Sequence, residues 1–329
     1  MKFLALGGAQ EIGASSYLVE IDGKHILLDC GLRQSFYEGK QYVSPPALWL
    51  VDKLDAICIS HAHLDHIGAL PLIIRGFPQT FCFMTMPTFC LAMTALADIE
   101  IELDRDIARN NSTPELLNFP KDLTNVMLDR ILTVKFRQTF HPFPNSAITL
   151  TFLRAGHILG AAAVLVEGEE GTILYTGDFS LTAWRTTPKA HFSYIESVNT
   201  LITENTYGNC IHPEVALEEK KLAEIISETI SAGGKVLLPV YALSKSQEII
   251  LFLQQAQSQH IIPAVPIFVD GLVKNICDTY EQLIQPNLFF RKDLATPIIK
   301  VENYQDRKYV LAGSSCIVVS SSGQLVGGP

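Results

Sequence analysis

Three imidazoles and one carboxylate fall within six consecutive residues, in the run His61-Ala62-His63-Leu64-Asp65-His66. This run directly follows Leu54–Ile59, an apolar segment that predicts a buried strand. Imidazole nitrogen suits zinc and similar metals, and a carboxylate extends the choice toward harder ions. A loop at the end of that strand would let His61 and His63 face one metal ion while Asp65 and His66 face a second. The sequence therefore predicts a metal site, and the fold must bring further ligands to it.

Four more acidic or imidazole residues each follow a predicted strand. They are Asp29, His157, Asp178 and Glu204. A single aspartate in such a position is usually a turn residue. Side chains at several strand ends can converge on one edge of a sheet, and these four together with the histidine run favour one shared site.

The first two-thirds of the chain combines short strands with helices. Predicted strands cover Met1–Leu6, Ser16–Ile21, His25–Leu28, Asp55–Ile59, Ile148–Leu153, Ala162–Val166, Thr172–Tyr175 and Thr200–Thr203. Predicted helices cover Ile67–Ile74, Leu91–Arg109 and Leu123–Leu132. This order favours two packed sheets flanked by helices.

After about residue 208, helices and strands alternate regularly. Helices are predicted at Pro213–Ala232, Lys245–Gln255 and Leu272–Leu283, and strands at Val236–Val240, Ile267–Val269 and Ile317–Val319. Such alternation is typical of a parallel-sheet α/β domain. We therefore expect two domains, residues 1–208 and 209–329.

Composition narrows the class of protein. The chain is 48% hydrophobic and 18% charged, which is typical of a compact globular protein. It has no apolar run of membrane-spanning length, and its N-terminus does not resemble a signal peptide. Its seven cysteines contain no CxxC pair, so we expect reduced thiols in a cytoplasmic protein. The net charge of −9 weighs only weakly against a nucleic-acid enzyme, because bound cations would reverse the sign locally.

The ordered set of Asp29, the run from His61 to His66, His157 and Asp178 resembles the first four motifs of the metallo-β-lactamase superfamily. The segment Thr203–Gly208 is similar to the acidic motif that opens the β-CASP insertion of RNA-processing members. The resemblance implies an α/β fold: a metallo-β-lactamase αββα sandwich over 1–208, lacking its C-terminal return segment, with an inserted and incomplete β-CASP domain over 209–329.

The same resemblance implies a role for each motif residue. His61, His63 and His157 would hold one divalent ion, Asp65 and His66 a second, and Asp178 would bridge the two. Asp29 would support the site by hydrogen-bonding a ligand, and Glu204 would assist proton transfer; Asp65, Asp178 and Glu204 are the catalytic candidates. Zn2+ is the expected metal, with Mn2+ as the alternative.

The implied activity is hydrolysis of RNA phosphodiester bonds, internally or from the 5′ end, by a hydroxide that two metal ions activate. A homodimer is a further implication. The two later histidine motifs of the family would lie beyond Pro329, so we expect a truncated chain with a weak second metal. Three alternatives stay open: a hydrolase of small esters, thioesters or lactams, a DNA-directed nuclease, and a non-catalytic subunit that binds RNA or proteins.

Overall fold

The computed structural model describes residues 1–37, 40–108, 128–193, 195–290 and 296–323. The chain forms two compact units, Met1–Thr206 and Tyr207–Pro329. Within the described ranges, no helix combines the length and apolar character needed to cross a membrane. That the second unit is an incomplete β-CASP domain stays a prediction.

The first unit begins with a six-stranded sheet. Its strands, in spatial order, are β1 (Lys2–Gly7), β2 (Ser16–Ile21), β3 (Lys24–Leu28), β6 (Ala56–Cys58), β7 (Phe81–Thr85) and β8 (Ile131–Val134). A separate hairpin pairs β4 (Arg33–Tyr37) with β5 (Lys40–Ser44). From β3 to β8 the strands are parallel, so the carboxyl ends of β3 and β6 lie at the same edge of the sheet.

A five-stranded sheet completes the sandwich. Its order is β13 (Thr200–Ile202), β12 (Gly171–Tyr175), β11 (Ala162–Gly168), β10 (Thr149–Arg154) and β9 (Thr139–Phe140). Alternate side chains of the two sheets form one buried core, including Val19 and Ile26 from the first and Phe152 and Val164 from the second. Residues two apart on a strand share a face, which is why this core takes alternate side chains from each strand.

Among the described residues of this unit, the helices are α1 (Leu64–Ile67), α2 (Leu70–Gly76) and α3 (Met86–Ala108), with a 3₁₀ turn at Leu48–Leu50. The predicted helix at Leu123–Leu132 is wrong at its end, because Ile131 and Leu132 lie in β8 and pair with β7. Residues 123–127 of that prediction lie outside the described residues. A β-branched, apolar stretch such as Ile131–Val134 suits a strand better than a helix.

The second unit is a four-stranded parallel sheet with helices. The sheet order is β14 (Val236–Pro239), β17 (Ile317–Ser320), β15 (Ile267–Asp270) and β16 (Ile298–Lys300). The helices are α4 (Val215–Ser231), α5 (Lys245–Ser258), α6 (Leu272–Leu283) and α7 (Tyr304–Ala312). Parallel pairing confirms the α/β arrangement that the alternating sequence predicts.

Candidate metal centre

The histidine run leaves β6 at its carboxyl end and enters α1. His61 is fully buried, and His63 is the residue before the first turn of the helix. The sequence placed Asp65 and His66 in a loop, which is wrong: both lie in α1, with Asp65 in its first turn. An acidic side chain is favoured there by the helix dipole.

The segment after β3 holds α1 in place. The Cys30 amide donates to the carbonyl of His66 at 2.8 Å, and the Leu32 amide donates to that of Leu64 at 2.9 Å. Gly31 lies between them, and a Cβ at that position would stand 1.7 Å from the carbonyl oxygen of Asp65. Only glycine fits this close approach between two backbone segments.

His157 and Asp178 come from the second sheet. His157 lies in the loop between β10 and β11, and Asp178 follows β12. The Ala162 amide donates to the carbonyl of Ser60 at 2.9 Å, which joins this sheet to the strand end that carries His61. Gly177 has a φ of +53°, and its backbone packs on the Ser60 side chain. The two sheets thus bring residues nearly 120 positions apart to one edge.

Three histidines and an aspartate form the first donor group. His63 Nδ1 lies 3.1 Å from both His61 Nε2 and His157 Nε2. Asp178 Oδ2 lies 3.6 Å from His157 Nε2 and 3.9 Å from His61 Nε2. A tetrahedral zinc site with bonds of ~2.0–2.1 Å separates its donors by about 3.3 Å. These four side chains therefore fit a divalent metal ion.

The second oxygen of Asp178 faces a different ligand. Asp178 Oδ1 lies 3.3 Å from His66 Nε2, and Asp65 Oδ2 lies 3.7 Å from the same nitrogen. One carboxylate thus presents one oxygen to each of two neighbouring donor groups. This arrangement suits a carboxylate shared between two cations.

Asp29 lies beneath both groups. It is fully buried with a φ of +60°, and its Oδ2 atom accepts from His66 Nδ1 at 2.7 Å and from the Tyr175 hydroxyl at 2.5 Å. Ser60 donates twice to Asp29, from its amide to Oδ1 and from its hydroxyl to Oδ2, both at 2.6 Å. The Ser60 hydroxyl also lies 2.9 Å from His61 Nδ1. Asp29 therefore orients one histidine directly and another through Ser60, which turns each Nε2 toward the centre.

Burial and charge separate the pKa values of the centre. Burial, together with the neighbouring histidines, lowers the pKa of His61 well below its usual value. Burial also disfavours charge on His66, but the Asp178 and Asp65 carboxylates outweigh it and raise the pKa of His66 well above its usual value. Burial opposes charge on Asp178 as well, yet His66 and the other histidines lower its pKa. In the metal-free centre, the surroundings thus disfavour a proton on His61 and favour one on His66.

Glu204 lies at the edge of the centre. It follows β13, and its carboxylate accepts from the Phe179 amide at 3.4 Å and from the Thr206 amide at 3.3 Å. It therefore contacts the peptide that follows Asp178. Among the described residues, it lies outside both groups spaced closely enough to hold a metal ion, which are His61, His63, His157 and Asp178, and Asp29, His61 and His66.

Reasoning from the sequence missed three residues that contact the site: Ser15, Ser60 and Tyr175. Ser15 Oγ lies 3.4 Å from His66 Nε2. Ser60 directly precedes His61, and Tyr175 ends β12 three residues before Asp178, so their positions beside the motifs could have signalled them. Ser15 carries no such signal, because it reaches His66 only through the fold.

The comparisons with known proteins agree with this geometry. Residues 18–199 match the family model described as a metallo-beta-lactamase superfamily domain. Transcription termination factor FttA of Methanothermobacter thermautotrophicus is 31% identical over 99% of the chain and 52% of its own length. Endoribonuclease YSH1 of Saccharomyces cerevisiae is 32% identical over 93% of the chain and 41% of its own length. An RNase J-like protein of Methanocaldococcus jannaschii is 33% identical over 98% of the chain and 72% of its own length.

A solved structure of a protein of unknown function from Enterococcus faecalis shares the fold, with a TM-score of 0.55 at 15% identity over 98% of this chain and 76% of its own. The chain spans about half the length of the FttA relative and less of YSH1. The family model covers more than half of the chain, and the RNase J-like relative matches along nearly all of it. The chain belongs to the metallo-β-lactamase superfamily.

Proposed function

We propose that this protein is a metal-dependent ribonuclease that hydrolyses RNA phosphodiester bonds. The observation that carries the proposal is the shared Asp178 carboxylate, whose two oxygens face His66 on one side and the three-histidine group on the other. Paired cations are a recurrent device for phosphodiester hydrolysis. The relatives named endoribonuclease and RNase J-like support RNA as the substrate.

Each side chain has a task in this proposal. His61, His63 and His157 would hold one ion, Asp65 and His66 would hold the second, and Asp178 would contact both. Divalent ions there would lower the pKa of water and stabilise the charge that develops on the phosphate. Zn2+ is the metal that we propose, because three imidazoles with donor spacings near 3.1 Å suit its tetrahedral geometry. Mn2+ is the second choice, since the other group is rich in carboxylate.

Asp29 and Glu204 act through neighbouring groups. Asp29 keeps the His66 ring oriented, and Glu204 fixes the peptide after Asp178 through the Phe179 amide. We assign to Glu204 a role in proton transfer or in orienting its surroundings.

The test is cleavage of end-labelled single-stranded RNA by the zinc-loaded and manganese-loaded protein. His63→Ala and Asp178→Ala should each abolish cleavage, and His141→Ala, which removes an exposed histidine of the same unit, should leave it unchanged. The product ladder would separate internal cutting from 5′ trimming. Metal-dependent binding of RNA without any cleavage would favour the alternative of a non-catalytic subunit, and cleavage that persists in Asp178→Ala would contradict the proposal. The homodimer and the cytoplasmic location stay predictions for the assembled protein.

A further inference from the structure

Ser15 lies against the metal-facing atom of a proposed metal ligand. Its Oγ atom is 3.4 Å from His66 Nε2, the same nitrogen that points toward Asp178 and Asp65. Ser15 is 9% exposed. A metal ion bound at Nε2 would take the place of this contact, so the hydroxyl would need another partner beside the ion.

The backbone of Ser15 is held on both sides. Its amide donates to the carbonyl of Asp65 at 2.8 Å, and its carbonyl accepts from the Gly31 amide at 3.0 Å. These bonds tie Ser15 to α1 and to the segment that clamps α1. The position of the Ser15 backbone is therefore fixed next to the centre, so its hydroxyl can meet a ligand there by rotation about one bond.

A second hydroxyl lies near the first. The Tyr17 and Ser15 hydroxyls both pack around Gly8. A Cβ added at Gly8 would stand 2.5 Å from the Tyr17 hydroxyl oxygen and 3.2 Å from Ser15 Oγ. Gly8 has a φ of +78°, so glycine is favoured there both by the backbone conformation and by the lack of space for a Cβ.

The charges of the site point to what the hydroxyl would bind. Asp65, Asp178 and Glu204 all present carboxylates, which repel an anion, so a phosphate in this site needs donors as well as cations. We propose that the Ser15 hydroxyl donates a hydrogen bond to a nonbridging oxygen of the substrate phosphate on the His66 side of the metal centre. This inference rests on the proposed function, and it makes Ser15 a substrate-binding residue.

The experiment measures binding of inorganic phosphate to the metal-loaded protein by calorimetry, with metal affinity measured separately. Ser15→Ala should weaken phosphate binding by about 10- to 100-fold, as expected for one hydrogen bond to a charged group. Its metal affinities should stay within about threefold, since Ser15 is not one of the proposed ligands. Ser15→Thr, which keeps a hydroxyl, should recover most of the binding.

Ser16→Ala is the matched control. Ser16 is the next residue, and its hydroxyl is buried with no hydrogen-bond partner among the described residues. Its removal should leave phosphate binding unchanged. Tyr17→Phe keeps the ring and should give a smaller loss than Ser15→Ala.

The outcomes separate this inference from the proposed function. Phosphate binding that is equal in Ser15→Ala and wild type, or undetectable in metal-loaded wild type, would overturn the role of Ser15. A parallel loss of metal and phosphate would also overturn it, because Ser15 would then only buttress His66. Ser15-dependent phosphate binding in a protein that cleaves no RNA would retain the role of Ser15 while the ribonuclease proposal fails.

Discussion

Replacing Asp29 by asparagine perturbs both halves of the centre through one buried side chain. The carboxylate accepts four hydrogen bonds, three at Oδ2 and one at Oδ1. An asparagine can present its carbonyl oxygen to the three donors on the Oδ2 side. Its amide nitrogen then faces the Ser60 N–H, where two donors meet and no bond forms.

The magnitude follows from this count. The lost bond to the Ser60 amide costs about 2 kcal/mol, as for hydrogen bonds to charged groups. The three remaining bonds change from a charged to a neutral acceptor and weaken by roughly half, about 1 kcal/mol each. Part of this loss in stability is offset, because asparagine carries no charge and the cost of burying one disappears. We expect a net loss of about 3 kcal/mol in the free energy of unfolding and a loss of about 10- to 100-fold in metal affinity.

Denaturant unfolding and metal titration of the metal-free protein measure the two effects. Tyr175→Phe is the control, because it removes one of the four donors and keeps a buried ring. Tyr175→Phe should lower the free energy of unfolding by about 1.5 kcal/mol and leave metal affinity within about threefold of wild type. An Asp29→Asn protein with wild-type stability and metal affinity would refute the role of Asp29 as the group that orients the centre.

Three further results are expected. Metal binding should release a proton from His66, because the pKa of His66 lies well above its usual value. The metal affinity of the His66 site should therefore rise about tenfold per pH unit until His66 is deprotonated. Calorimetry in buffers of different ionisation enthalpy measures the proton release, and a pH-independent affinity would contradict it. Gly31→Ala should unfold α1 and abolish metal binding, because its Cβ would meet the backbone of Asp65. Gly76 lies in a helix with open space around it, so Gly76→Ala should be neutral or raise the free energy of unfolding by about 0.5–1 kcal/mol. Similar thermal unfolding of the two variants would argue against the close approach at Gly31. A thiol reagent should modify Cys210 first, because it is exposed, and labelling of the buried cysteines at the same rate would show that the fold opens.

The relatives confirm the fold class that the sequence predicted, and the site residues stay predictions that rest on the same strand pattern. Alternating apolar residues reveal strands such as β2 and β10, and ligand-type residues at strand ends reveal the edge where they meet. The relatives confirm the family and support divalent metal binding. The roles of the individual ligands stay predictions that the geometry supports.

The errors and omissions have a common physical origin. Asp65 and His66 occupy a four-residue helix, which is too short to leave a periodic pattern. β8 was mistaken for the end of a helix, because apolar residues before a turn suit either element until a partner strand is known. The contact of Ser15 with His66 depends on backbone segments that meet only in the folded chain, so no local signal encodes it.

In the metal-loaded protein, we expect two adjacent metal ions to share Asp178. Anomalous diffraction at the zinc edge, from crystals of the zinc-loaded protein, measures this directly. We predict two peaks about 3.5–4 Å apart, one on each side of the Asp178 carboxylate. A single peak within the three-histidine group, with Asp178 Oδ1 and His66 contacting no metal, would contradict it.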